Sequence, residues 1–221
     1  MDKIDLSMDK LVIDASQEGG MLQPILANES NYSYTPEDRS TKHATLFDFT
    51  TVDNLNDWYE VSDSVREVGK SKGVMVLQKT RVFQRAIFFS LLNPQPNGAC
   101  FAGVKTETMF DLSKFESLTL NVRGQGSASI YKVVIKHKSQ NSTTPDYEQT
   151  FEAPMDEEFV TVRLDLDKFK PYFRGKFVND TEPLDKSHIT SIGLQVAGGV
   201  YLPNKQSGVS SLEIDWMRAD I

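Results

Sequence analysis

Leu118-Thr-Leu-Asn-Val-Arg-Gly124 alternates apolar and polar side chains with a period of two residues and then reaches a glycine. This is the pattern of a β-strand that has one face buried and the other in solvent. It predicts that the two leucines and the valine face a hydrophobic core. Thr119 and Asn121 are predicted to point away from that core, because successive side chains of a strand lie on opposite faces.

The same period recurs on both sides of this stretch, from Leu46 to the end of the chain. Glycine, proline and asparagine cluster in the links between alternating stretches, as is typical of turns. The longest helical stretches that the sequence predicts have one or two turns, for example residues 111–115 and 165–169. About ten short strands without intervening helices predict an all-β fold, either a β-sandwich or a jelly roll. The other predicted strands are residues 74–77, 82–89, 100–105, 131–136, 147–151, 159–164, 192–196 and 212–216.

Composition indicates a globular protein with a sizeable core. The chain has 221 residues, of which 39% are hydrophobic and thirteen are phenylalanine. Its formal net charge is −7, so neither nucleic acid nor an anionic membrane surface is expected as the main partner. No run approaches the roughly 20 apolar residues of a membrane-spanning helix, and no transmembrane segment is predicted.

Charge divides the chain near residue 40. Residues 1–39 carry eight acidic and three basic side chains, and their apolar residues form two small clusters, Leu11-Val12-Ile13 and residues 21–26. Such a segment cannot bury enough apolar surface to fold alone, so we expect it to be disordered or docked on a partner. The sequence therefore predicts an acidic arm over residues 1–45 and a β-sandwich domain over residues 46–221.

No group of residues predicts catalysis or metal binding. Cys100 is the only cysteine, and the three histidines lack the spacing of a zinc site. Asp165 and Asp167 could hold calcium, but a solvated strand edge is more typical of such a pair. Arg123-Gly-Gln-Gly126 lacks the third glycine of a dinucleotide-binding loop. We therefore expect a protein that is not an enzyme and that has no catalytic residues, no cofactor and no metal.

Two aromatic groups are candidates for binding. Trp58-Tyr59 is one, and Tyr172-Phe-Arg174 is the other. Aromatic side chains beside an arginine can stack on a sugar or anchor a partner protein, although burial in the core is the more typical role of Trp58. The candidate binding residues are Trp58, Tyr59, Tyr172 and Arg174 in the domain, with Leu11, Val12 and Ile13 in the arm.

Two arginines precede a glycine, Arg123 before Gly124 and Arg174 before Gly175. A loop can come close to a guanidinium at such a position and offer its carbonyl oxygens as acceptors. The pattern predicts that both arginines hold turns together and do not bind phosphate.

The order and spacing of several motifs over residues 46–221 resemble the complex I intermediate-associated protein 30 domain. The stretch 111–126 and the closing Leu212-Glu-Ile-Asp215 are the most specific pieces. The other pieces are Leu46-Phe-Asp-Phe49, Trp58, Ser62-Asp63, Phe101-Ala102, Tyr131, Phe169, Arg174-Gly175, residues 184–186 and Ile192-Gly193.

This resemblance implies a galactose-binding-like jelly roll that acts as an assembly factor, or chaperone, for respiratory complex I in mitochondria. Its partners would be complex I assembly intermediates, and the family has no agreed catalytic residues. The first residues of the chain do not have the Arg-rich, acid-poor character of a mitochondrial transit peptide.

Two other interpretations remain open from the sequence. The protein could be a structural or adaptor subunit of a large cytoplasmic assembly, held there by its N-terminal arm. A weaker alternative is a carbohydrate-binding module, because many jelly rolls of this type bind sugars, although fold alone does not establish function. A sugar or other small-molecule ligand is not expected.

Overall fold

The computed structural model describes residues 43–65, 69–96, 98, 100–139, 143–155, 158–198 and 205–221. Residues 1–42 of the predicted arm lie outside the described residues. Leu11, Val12 and Ile13 therefore lie outside them too.

The described part of the chain is built from thirteen β-strands and three short 3-10 helices, and it contains no α-helix. None of these helices has the length and apolarity needed to span a membrane. The strands are β1 (His43–Asp48), β2 (Tyr59–Glu60), β3 (Lys72–Lys79), β4 (Gln84–Leu92), β5 (Phe101–Phe110), β6 (Ser117–Gly126), β7 (Ile130–His137), β8 (Asp146–Glu152), β9 (Val160–Asp165), β10 (Lys170–Phe173), β11 (Lys176–Phe177), β12 (Ile189–Ala197) and β13 (Gly208–Asp220). The 3-10 helices are Asp63–Val65, Leu166–Lys168 and Lys186–His188.

The strands form two antiparallel sheets. The six-stranded sheet has the order β3-β4-β13-β6-β9, and β1 also pairs with β13. Along one side of β13, β4 pairs with Gly208 to Ile214 and β1 pairs with Trp216 to Asp220. The seven-stranded sheet has the order β11-β10-β8-β7-β12-β5-β2. The predicted all-β jelly-roll sandwich is confirmed, and the two-residue strands β2 and β11 are among those that the alternation did not reveal.

The core lies between the two sheets, and β6 shows how the sequence builds it. Leu118, Leu120 and Val122 are fully buried, as their alternation predicts. Thr119 is on the opposite face of the strand but is only 8% exposed, and its hydroxyl is satisfied by a hydrogen bond of 2.6 Å that it donates to Asp220 on β13. The register of the central strand is therefore the predicted one.

The loop before β3 is closed by a buried aspartate. One carboxylate oxygen of Asp63 accepts a hydrogen bond from the backbone N–H of Ser71, and the other accepts one from the Ser71 hydroxyl, each at 2.8 Å. A side chain at Gly69 would collide with the backbone carbonyl of Asp63. The motif residue Asp63, together with Gly69, thus has a structural role, because the two residues fix how the chain enters β3.

Candidate functional site

The outer face of the six-stranded sheet carries an exposed apolar surface. Along β3 and β4 apolar residues occupy both faces, so that one set enters the core and the other faces solvent. The cross-strand register places Val74 beside Phe89, and Leu91 beside Val209. We call these residues and Val76 the apolar face; they are Val74 (52% exposed), Val76 (37%), Phe89 (42%), Leu91 (39%) and Val209 (65%).

An open groove of about 470 Å³ leads from the apolar face to the seam between the two sheets, where Trp58 and Glu60 line it. Glu60 accepts hydrogen bonds from Lys72 Nζ at 2.9 Å and from the backbone N–H of Gly73 at 3.1 Å. Burial opposes the charged form of Glu60, but these hydrogen bonds outweigh it and hold the pKa of the carboxyl below its usual value. Glu60 is therefore an anion that ties β2 to the start of β3.

A cluster of charged side chains lies on the same face, next to the apolar residues. Glu213 is only 6% exposed, because Arg85 and Arg123 lie over it and donate hydrogen bonds of 2.7 Å and 2.8 Å to its carboxylate. Arg123 also donates to the other carboxylate oxygen at 2.9 Å, and Gln125 donates to the same oxygen at 2.8 Å. Both guanidinium groups stack on the ring of Phe159. The carboxylate is thus held in a network of charged and polar side chains.

This cluster corrects the prediction for Arg123. The residue lies inside β6, which continues to Gly126, and its side chain bonds to a carboxylate on β13. The prediction that it holds a turn together is wrong, because Gly124 does not end the strand.

A partly buried tryptophan on β13 is a feature that the sequence alternation did not reveal. The guanidinium of Arg218 lies 3.9 Å from the ring centroid of Trp216. The alternation Leu212-Glu-Ile-Asp-Trp216 would place this ring in the core, but the register shifts after Ile214. Met217 is consequently the residue that is fully buried. A β-bulge accounts for this change, and a period of two in the sequence cannot reveal it.

The two residues of the predicted aromatic site Trp58-Tyr59 have different roles. Trp58 packs edge-on against Phe47 and Phe49, with ring centroids 5.3 Å and 5.9 Å away, so it belongs mainly to the core. Tyr59 is 44% exposed on β2. Its hydroxyl donates to Glu107 at 2.5 Å, and the ammonium of Lys105 lies 5.2 Å from its ring centroid, so the hydroxyl and part of the ring already contact neighbouring side chains.

The second aromatic group lies in the same seven-stranded sheet as Tyr59, toward its opposite edge. Tyr172 on β10 packs edge-on against Phe177. Arg174 follows in a turn with a left-handed backbone (φ 52°), and its guanidinium lies 5.2 Å from the ring centroid of Phe173. Four strands separate β2 from β10 in the seven-stranded sheet, a distance of about 24 Å at the usual strand spacing. Tyr59 and Tyr172 therefore do not form one binding site.

The side chains that could ligate a metal are dispersed. Within the described ranges, no three histidine, cysteine, aspartate or glutamate side chains come together in a group that could hold an ion. Asp165 bonds instead to Lys168 and Arg163, and Asp167 to Lys186, as is typical of a solvated edge.

Solved structures with a similar fold include carbohydrate-binding modules. The family 11 module from Clostridium thermocellum, in complex with a β-1,3-1,4-mixed-linked tetrasaccharide, is 17% identical with a TM-score of 0.59, covering 80% of this chain and 95% of that one. A family 30 module is 10% identical with a TM-score of 0.52, covering 82% and 89%. An agarase is 10% identical with a TM-score of 0.52, covering 81% of this chain and 25% of its own. At these identities the likeness shows the fold alone.

Sequence comparisons identify the family. A comparison with curated proteins returned no match. The family described as Complex I intermediate-associated protein 30 (CIA30) matches residues 47–214, a stretch that includes β3, β4, β6 and most of β13. Because this match spans more than half of the chain, the protein belongs to the CIA30 family.

Proposed function

We propose that this protein is a non-catalytic assembly factor for respiratory complex I, and that it binds its partner through the apolar face of the six-stranded sheet. The observation that carries the proposal is the exposure of five neighbouring apolar side chains inside the region that matches the family. The family's description, which refers to complex I intermediates, supports the choice of partner and a mitochondrial location.

The physical argument rests on the cost of exposed apolar surface. Covering such a surface releases water, and the free energy gained is roughly 25 cal/mol for each Å² of apolar surface that is buried. Large contiguous apolar patches on soluble proteins mark interaction sites more often than apolar side chains that are scattered singly over the surface. The residues of the apolar face lie side by side on three paired strands, so one partner can cover them together.

The outer face of the other sheet offers a contrast. Lys132 pairs with Glu148 there, and Lys136 pairs with Asp146. Charged side chains that already form ion pairs gain little free energy from a new partner, and they must lose bound water before the partner can contact them. Tyr59 and Tyr172 also lie toward opposite edges of that sheet, an arrangement that does not favour a shared platform for a sugar. The apolar face is therefore the better docking surface.

The proposal can be tested with the full chain tagged and expressed at its natural level. Mitochondria would be fractionated, and the proteins that co-purify would be identified by mass spectrometry. We expect complex I assembly intermediates to co-purify with the wild type. The double variant Phe89→Ser, Leu91→Ser should recover at least tenfold less of them, which corresponds to a loss of about 1.4 kcal/mol in binding free energy. Phe177→Ser is the matched control, because Phe177 is 51% exposed on the other sheet.

Two results would contradict the proposal. Absence of complex I subunits from the wild-type sample would show that the partner is wrong. Unchanged co-purification by the double variant, with a melting temperature like that of the wild type, would show that the docking surface is wrong.

A further inference from the structure

Strand β3 is an edge of the six-stranded sheet, with β4 as its single paired neighbour in the described part of the chain. At the end of the β3–β4 hairpin, the backbone N–H of Thr80 donates to the carbonyl of Phe83 at 2.9 Å. Hydrogen-bonded and non-bonded pairs alternate along an antiparallel ladder. This pair and the register show that the backbone N–H and C=O groups of Val74 and Val76 point toward β4. The same groups of the alternate residues point toward the open edge; these residues are Gly73, Met75, Leu77 and Lys79.

The hydrogen bonds of Gly73 agree with this assignment. Its backbone N–H leaves the ladder and donates to Glu60 on β2. The outward groups of Met75 and Leu77 have no such partner within the described ranges. The start of the edge is thus closed by a carboxylate, and the following residues of β3 are open.

Basic residues lie at both ends of this open edge. Lys70 and Lys72 precede it, and Lys79 and Arg81 follow it. Lys72 is paired with Glu60, whereas the structure shows no ion pair for the other three within its described residues. These cations stand on a chain whose net charge is −7, so the edge favours an acidic partner.

The size of the apolar face indicates what kind of partner fits. It has five residues, whereas a standard interface between folded proteins uses roughly 20–30 residues on each side. That comparison favours a short segment over a second copy of this chain. An extended segment can add to a sheet edge, where backbone hydrogen bonds hold it and alternate side chains select it.

We infer that β3 accepts an extended segment of the partner as an additional strand, and that this segment is apolar in its middle and acidic at its ends. Its backbone bonds to the outward groups of Met75 and Leu77, and its alternate side chains lie beside Val74 and Val76. Acidic residues at its ends meet the basic residues that flank β3. The inference rests on the proposed docking surface and names the partner segment that would extend this surface at the β3 edge.

The probe is a blocked synthetic peptide, Asp-Glu-Val-Thr-Val-Thr-Val-Glu-Asp, added to the isotope-labelled full chain. Amide hydrogen exchange is followed by NMR, because it reports the hydrogen bonding of each backbone N–H. We expect exchange at Met75 and Leu77 to slow by about tenfold or more at saturating peptide. Exchange at Val74 and Val76 should not change, since their N–H groups already bond to β4. A peptide with lysine at the four acidic positions is the charge control and should give no protection.

Several outcomes would overturn the inference. Chemical shifts that change at Phe89 without protection at Leu77 would mean that a ligand covers the face but adds no strand. Protection that appears at high protein concentration without peptide would assign the edge to a second copy of this chain. No response to the peptide would also overturn it. None of these depends on co-purification of complex I subunits, so the failure of the proposed function remains distinguishable.

A variant of Leu77 provides a second readout. Leu77→Pro removes one outward N–H, and proline is tolerated on an edge strand where its N–H would face away from the sheet. We expect peptide binding to weaken by about tenfold, or 1.4 kcal/mol, whereas Leu77→Ala should weaken it less because it keeps the amide. If Leu77→Pro unfolds, a peptide N-methylated at alternate residues replaces it, and binding equal to that of the parent peptide would refute the added strand.

Discussion

Leu120 tests the packing of the core at the level of a single residue. Its side chain is fully buried on β6, between β13 and β9. Leu120→Ala removes three carbon atoms from a packed interior and leaves a cavity, so we expect a loss of about 2–5 kcal/mol in the free energy of unfolding. Chemical denaturation measures this loss. Asn121→Ala is the control on the opposite face and should cost less than half as much.

A change below about 1 kcal/mol for Leu120→Ala, well under the range for a buried leucine, would mean that the register of β6 is wrong. The register itself was predictable, because alternation within one strand states which side chains share a face. The role of Arg123 was not predictable in this way. Its partner Glu213 is 90 positions away along the chain, and only the pairing of β6 with β13 brings the two together.

At the scale of an element, β7 ends in a buried histidine that the chain before β12 covers. The backbone N–H of Asp185 donates to Nδ1 of His137 at 2.7 Å, and Nε2 lies 3.3 Å from a carboxylate oxygen of Glu182. The ring of Tyr147 packs against the imidazole. Burial lowers the pKa of His137, more than the nearby charges of Glu182 and Asp185 raise it.

The folded protein should therefore lose stability as the pH falls below the ordinary pKa of histidine. The unfolded chain takes up a proton near pH 6.5 and the folded chain only at lower pH, so the contribution is complete above about pH 6.5 and lost below it. The pKa values of Asp185, at about 2, and Glu182 are also lowered, so their contributions are lost at still lower pH.

Urea unfolding at several pH values measures this effect. His137→Asn keeps an acceptor for the Asp185 N–H but cannot titrate, so its stability should change less than that of the wild type between about pH 7 and 5. His188→Asn is the control, because that histidine is exposed. Equal pH dependence of the wild type and His137→Asn would contradict the assignment.

The strand β4 shows where sequence patterns stop being informative about an element. Its apolar residues occupy both faces, and such a run is typical of a strand covered on both sides. In the structure β4 lies next to the edge strand β3, and Phe89 and Leu91 are exposed. A sequence shows that both faces are apolar, but it does not show whether the chain itself or a partner covers the second face.

For the whole molecule, the sandwich was predictable because strand periodicity recurs from β1 to β13. The order of strands in each sheet was not, since no local pattern states that β13 lies between β4 and β6. Because the order of strands could not be predicted, the sequence also could not show that the two aromatic groups lie apart. Tyr59 and Tyr172 carry similar local signals, but the order of strands places them toward opposite edges of one sheet.

The boundary between the arm and the sandwich leads to a prediction for the whole chain. The first strand begins at His43 and pairs with β13, and the residues of the described core begin at Phe49. We expect a chain that starts at Ser40 to unfold cooperatively, with a melting temperature within about 4 °C of the full chain, the shift that roughly 1 kcal/mol gives at this size.

The function of the arm can then be separated from stability. If Leu11, Val12 and Ile13 contact the partner, replacing all three by Ser in the full chain should weaken co-purification without lowering the melting temperature, because a segment that folds on binding contributes only in the complex. Replacing Asn28, Ser30 and Asn31 by Ala is the matched control within the same arm. A shortened chain that loses cooperative unfolding would show instead that the arm completes the core. A shortened chain that keeps every partner would assign binding to the sandwich alone.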